Sequence, residues 1–502
     1  MRQLVRLSLA LAAVCALHAA VKLPALISDH MVLQQGMPVR IWGTAEPGET
    51  VRVEFQWQSV SAKAGANGKW SAWLKPLVAA GPLSMTIAGT NTITIQDVLV
   101  GEVWLGSGQS NMEFKLQTAV NHEEEVAHAG HPMIHIFQVK RAIAEQPAED
   151  VVGTWQVCSP ETIKTFSAVE YFFGRHLQQN LHVPMGLIES DWGGTPAQSW
   201  TSHQALESDA ALKFIFDEWQ KVLADYPAAK QKHDAAVEKW NKDAAEARAA
   251  GKTPPNRPAA PQGPGHQFTP SGLYNGMIAP LTPYGIRGVI WYQGESNANS
   301  DIHAHNYRRL FGAMIGDWRN RWGEGDFPFY FVQLANYQTN GRWAVLRESQ
   351  TETLRLANTA MAVIIDIGES KDIHPKNKQD VGLRLALAAR ALTYHQPVEY
   401  AGPTFRMATP EGSAMRVYMS HTAGMAARGG GEIKGFEVAG TDGKYVAAQA
   451  KVDGDTLIVW NASVSDPVSV RYAWADDPVC NLVNQAGLPA GPFRSDQPHY
   501  GW

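Results

Sequence analysis

Apolar residues in this chain fall in short unbroken runs that end in polar, glycine-containing turns. That is the pattern of strands buried on both faces. The run at 98–105 ends in Gly106-Ser107-Gly108-Gln109-Ser110-Asn111-Met112, which reads as a strand entering a tight turn. Residues 112–120 then read as the start of a helix, within a polar helical stretch at 111–129. Further runs at 133–139, 183–190, 287–292, 329–334 and 361–366 predict strands. Helix-like spacing predicts helices at 166–179, 306–322, 343–358 and 379–394. Strands alternating with helices argue for a parallel sheet covered on both sides, with its sites at the C-terminal strand ends. Residues 21–97 instead alternate with period two around turns at Gly48-Glu49 and Asn67-Gly68, which predicts a small β-sandwich. Residues 396–502 return to β, either as a third domain or as a completion of the N-terminal β-structure.

One segment breaks the pattern. Residues 207–250 are rich in Ala, Lys, Glu and Asp, with Phe214, Trp219, Val222 and Leu223 at helical spacing. They read as a helical hairpin broken near Tyr226-Pro227, followed by a Pro- and Gly-rich loop at 253–265. We take 201–268 as an insertion, either a cap beside a cleft or decoration. The resulting division is an N-terminal β domain at 21–97, an α/β domain at 98–395 that carries the insertion, and a C-terminal β region at 396–502.

Composition changes this picture in few places. The chain has 502 residues and a net charge of −5, so nothing suggests a nucleic-acid partner. It has 17 Trp, a hint of sugar-stacking surfaces, although most Trp is core. Arg2 and Arg6 precede an apolar stretch at 7–17 that ends in Ala19-Ala20. Residues 1–20 therefore read as a signal peptide, implying a secreted or periplasmic protein. The stretch is too short to read as a membrane span. Beyond it remain Cys158 and Cys480, which either pair or are two buried thiols. No Cys/His spacing suggests zinc, and neither a metal nor a cofactor is expected.

Four strand ends carry polar turns, at Ser110, Gly194, Gln293 and His374. Acyl transfer needs such a set: a nucleophile, a base, a group that orients the base, and donors to the oxyanion. Ser110 supplies a hydroxyl and His374 a base suited to neutral pH. Asp372 is near enough in sequence to orient the imidazole. The backbone N–H groups of Ser110 and Gly194 and the Gln293 side-chain amide are candidate oxyanion donors. Glu113 reads as a first-turn acid that favours a helix dipole.

Gly-Gln-Ser-Asn-Met at 108–112, Trp-Gly-Gly-Thr-Pro at 192–196, Trp-Tyr-Gln-Gly-Glu-Ser at 291–296 and Asp-Ile-His-Pro-Lys at 372–376 together resemble the sialate O-acetylesterase family of SGNH (GDSL-like) hydrolases. The chain is also similar to the related bacterial acetylxylan esterases. The resemblance implies a flavodoxin-like, three-layer α/β/α hydrolase domain with β-sandwich accessory regions. It implies removal of acetyl groups from acetylated carbohydrate by a serine mechanism without metal. Two positions depart from the wider SGNH pattern. Lys371 stands three residues before the histidine, where many of these enzymes place the orienting Asp, which leaves Asp366, Glu369 and Glu295 as alternatives to Asp372. Gln293 stands at the usual Asn position, with Asn297 as an alternative donor. Competing readings are a lipid ester or thioester hydrolase, and a non-catalytic carbohydrate-binding protein.

Overall fold

A computed structural model describes residues 20–496; the expected signal peptide lies outside the described residues, save Ala20. The central sheet is built from seven strands: β1 (Thr92–Gly108), β2 (His131–Gln138), β3 (Trp155–Cys158), β4 (Met185–Asp191), β5 (Gly288–Tyr292), β6 (Phe329–Val332) and β7 (Thr359–Ala362). Their spatial order is β7-β6-β5-β1-β4-β2-β3. All pairings are parallel except that of the edge strand β3 with β2. From β1 the chain builds one side of the sheet and then crosses to the other. The C-terminal end of β1 is therefore the switch point where doubly wound sheets open a crevice.

Two helices cover one face, α1 (Ala168–Leu181) and, late in the chain, α5 (Lys378–Ala388). The opposite face carries α3 (Asp301–Trp322) and α4 (Trp343–Glu352). Strand alternation decides which side chains each pair meets. Trp104 points at Phe173 of α1 and stacks near Tyr330, whereas Trp291 lies between Phe311 and Trp318 of α3. The fold is the expected three-layer α/β/α arrangement, with additional β-structure at each end.

The N-terminal region shares the core of the α/β domain. β1 is 17 residues long. Its first part pairs antiparallel with Ala80–Ala88, and its second part pairs with β4 and β5. The boundary expected at 97/98 thus falls inside one continuous strand, and a single apolar core runs from Val21 to Ala389. The C-terminal β region has a core of its own around Val417, Phe436, Leu457 and Tyr472. It is fastened to the α/β layer by Arg347, which is fully buried. That guanidinium donates to the carbonyls of Leu334, Ala335, Ala475 and Asp476 at 2.6–2.9 Å.

Two local expectations fail. The insertion is one helix, α2 (Lys213–Ala249), 37 residues long with Pro227 inside it. A proline normally disrupts a helix by removing an N–H and crowding the preceding turn. Here the following loop runs back along the helix and braces it. Gly263 packs against the Tyr226 ring, and Trp240 Nε1 donates to Pro255 O at 2.7 Å. Nor does a helix begin after Ser110. Residues 109–113 form turns, followed by a 3-10 turn at Leu116–Thr118 and a short helix at His122–Ala127. Cys158 and Cys480 are both free thiols. Among the described residues no helix is long and apolar enough to cross a membrane.

Candidate active site

β1 can deliver Ser110 only because Gly108 is a glycine. Gly108 has φ +144°, and a Cβ there would lie 2.2 Å from Tyr292 O on β5. The close approach lets Gln109 N–H donate to that same carbonyl at 3.0 Å. The chain then turns, with Met112 and Glu113 N–H both donating to Gln109 O. Ser110 is left half-buried at the crevice while its neighbours on both sides are buried. Neither the N–H of Ser110 nor that of Gly194 has a hydrogen-bond partner among the described residues.

The histidine arrives from the loop between β7 and α5. His374 Nε2 lies 2.8 Å from Ser110 Oγ across 264 residues of sequence. Asp372 Oδ1 accepts the backbone N–H of His374 at 2.9 Å and stands 3.8 Å from its Nδ1. The carboxylate therefore shapes the turn and faces the ring without closing a hydrogen bond to it. Burial is the main effect lowering the His374 pKa, and the nearby Lys378 ammonium adds to it; Asp372 and Glu113 oppose them. The imidazole is neutral, and able to accept a proton, further into the acid range than a free histidine.

Beneath this pair lies a buried polar core. Asn111 donates through Nδ2 to Glu295 Oε1 at 2.6 Å and to Ile373 O at 2.9 Å, and accepts at Oδ1 from Lys378 Nζ at 2.6 Å. The Lys378 ammonium also sits over the rings of Phe114 and Tyr292. Burial pulls its pKa down to about 7, and Glu295, Asp372 and Glu369 oppose the shift. Burial moves Glu295 the other way, raising its pKa. The carboxylate of Glu295 thus serves Asn111 and Lys378, and Asp372 is the acid at the His374 ring. The other two acids lie elsewhere: Asp366 pairs with Arg384 and Arg428, and Glu369 accepts the N–H of Lys376.

The turn after β4 completes the crevice. Gly194 has φ +75°, and a Cβ on Gly193 would lie 3.3 Å from Ser110 Cβ. Gly193 N–H donates to Glu113 Oε2 at 2.7 Å. Glu113 is in turn paired with Arg141, whose guanidinium lies over Trp192. Glu113 therefore holds the Gly193-Gly194 turn against Ser110, with no helix dipole for it to serve. Gln293 does not reach the crevice. It is fully buried, and its amide hydrogens go to Asn297 Oδ1 at 2.7 Å and Thr195 O at 3.3 Å. Asn297 is similarly engaged, donating to Gln198 Oε1 and accepting from Ala197 N–H. The two amides brace the Thr195–Ala197 backbone, and the unpartnered donors beside Ser110 are main-chain. Sequence reasoning missed Asn111 and Lys378. Their signal was position: one follows the serine directly, and the other lies four residues after the histidine.

A hydroxyl 2.8 Å from an imidazole is an arrangement able to attack a carbonyl. Comparison with known proteins places the chain among esterases. Residues 263–393 match the family model described as carbohydrate esterase, sialic acid-specific acetylesterase. The sialate O-acetylesterase of Rattus norvegicus is 31% identical, covering 95% of this chain and 94% of that protein. The sialate O-acetylesterase of Homo sapiens is 31% identical over 75% of this chain and 72% of its own. Among solved structures, a carbohydrate acetylesterase from Xanthomonas citri superimposes with a TM-score of 0.81 at 36% identity, covering 95% of this chain and all of that one.

Proposed function

The chain belongs to the sialate O-acetylesterase family and is an esterase, and on that premise we propose that it removes acetyl groups from carbohydrate by a serine acyl-enzyme mechanism. The observation that carries the mechanism is the 2.8 Å contact between Ser110 Oγ and His374 Nε2. In this reading His374 takes the hydroxyl proton as Ser110 Oγ attacks the acetyl carbonyl. The N–H groups of Ser110 and Gly194 receive the oxyanion. The sugar oxygen leaves with the proton from His374. Water activated by the same imidazole then releases acetate. Asp372 stabilises the imidazolium across the 3.8 Å gap. The signal-like residues 1–20 support export to the periplasm or medium.

The test is a chromogenic acetyl ester together with phosphonate labelling. Ser110→Ala is expected to lose turnover and to resist the label, while wild-type protein carries the adduct on Ser110. Labelling of another serine, or full turnover by the variant, would end the proposal. A lipid-ester reading would instead require preference for long acyl chains over acetyl.

A further inference from the structure

The insertion helix walls a second pocket. It holds about 160 Å³ and lies between α2 and the turns that follow β4 and β5. Small-molecule sites commonly run to roughly 300–1,000 Å³, so this one fits a single ring. Trp219 and Val222 of α2 line one side, Phe268 of the return loop another, and Gln198, Ser296 and His303 supply polar groups. An aromatic face with amide and hydroxyl groups around it is the chemistry that holds a sugar ring, whose C–H face packs on the aromatic while its hydroxyls pair at the rim. His303 Nε2 meets Glu218 Oε2 at 2.9 Å, which ties α2 to α3 at the edge of the pocket.

This pocket shares a wall with the crevice of Ser110. Ser296 Oγ donates to Gly194 O at 2.8 Å, and Gln267 of the return loop donates to Gly193 O at 3.1 Å. The Gly193-Gly194 turn therefore stands between the two sites. Resting on the esterase reading above, we propose that the α2 pocket is a subsite for the pyranose neighbouring the acetylated one, with Trp219 as its stacking platform. The insertion thereby makes the enzyme selective for acetylated oligosaccharides over acetylated single sugars.

The experiment compares kcat/KM for an O-acetylated tetrasaccharide with kcat/KM for 4-nitrophenyl acetate, with xylan-derived and sialylated tetrasaccharides in separate arms. Trp219→Ala, which removes the platform, and Val222→Trp, which fills the pocket, are each expected to lower that ratio about tenfold in at least one arm. Trp219→Phe is expected to keep most of it. Calorimetry with the same tetrasaccharides on Ser110→Ala protein reads the pocket without turnover, so a failure of the esterase reading and a failure of the subsite are told apart. An unchanged ratio in both arms for Trp219→Ala and Val222→Trp, or tetrasaccharide affinity unaffected by adding Trp219→Ala, would overturn the subsite.

Discussion

Asn111 and Ile373 are 262 residues apart in sequence, yet the side-chain amide of the first donates to the main-chain carbonyl of the second at 2.9 Å. Each is the immediate neighbour of one member of the candidate pair, Ser110 and His374. This bond ties the two turns together beneath the contact between hydroxyl and imidazole. A half-buried serine–histidine contact alone would not hold two loops in register. A buried amide with three partners does.

Removing that amide is expected to separate the pair. Asn111→Ala leaves Lys378 and Glu295 without their shared partner, at a cost of about 1–3 kcal/mol in stability. It should lower kcat more than it raises KM. Steady-state kinetics beside denaturant unfolding checks this; a variant with full kcat would show that the Ser110–His374 distance is set elsewhere.

The two candidate orienting carboxylates, Asp372 at the His374 ring and Glu295 beneath Asn111, are expected to behave differently. Asp372→Asn removes the charge that faces Nδ1 and should lower kcat roughly 10²-fold. Glu295→Gln keeps an acceptor for Asn111 and should cost less. Kinetics of the two isosteric variants at matched pH decides the order, and the reverse order would reassign the orienting role to Glu295.

The acid limb of the pH–rate profile carries a signature of Lys378. Burial and the nearby ammonium both lower the His374 pKa, so activity should be retained below the ordinary histidine range near 6.5. Lys378→Met removes one of the two causes, and its acid limb should move to higher pH. Stability has its own sign. The lysine pKa falls from 10.5 when exposed to about 7 in the fold, so the unfolded chain binds more protons between those values. Stability relative to Lys378→Met should therefore rise with pH from about 7 towards 10.5. Urea titrations at pH 6 and pH 9 measure it.

Arg347 predicts how the C-terminal β region is held. Four carbonyls from two parts of the fold converge on one planar guanidinium, a geometry that a lysine does not reproduce. Arg347→Lys is expected to destabilise the protein by about 3 kcal/mol. Thermal melting should show it, and an unchanged midpoint would mean that the region docks by its apolar surface alone.

Much of this was legible along the chain. Strands buried on both faces announce themselves as apolar runs, and Gly-Gln-Ser and Asp-Ile-His-Pro mark the turns that meet. What escaped depends on contacts between distant segments. Gln293 looked like a donor because it ends a strand, but the Tyr307 hydroxyl donates to its Oε1 at 2.9 Å and Asn297 takes one of its amide hydrogens. Lys378 stands just ahead of the helix predicted at 379–394 and drew no reading, because its role arises only when α5 packs it under the serine turn. Pro227 looked like a break because the bracing loop lies about 35 residues further on. The last strand of the sheet, expected at 361–366, forms at Thr359–Ala362, since Ile365 turns away to join the C-terminal core.

The length of β1 has a consequence for anyone trimming this protein. Starting the chain at residue 98 would not release a tidy hydrolase. It would cut in two the ribbon that presents Ser110, bare the greasy flank where Val32 and Leu33 lie beside Leu99 and Val100, and leave an open β-edge inviting aggregation. The front sandwich is in this sense part of the enzyme's chassis, and the smallest workable fragment begins near residue 21.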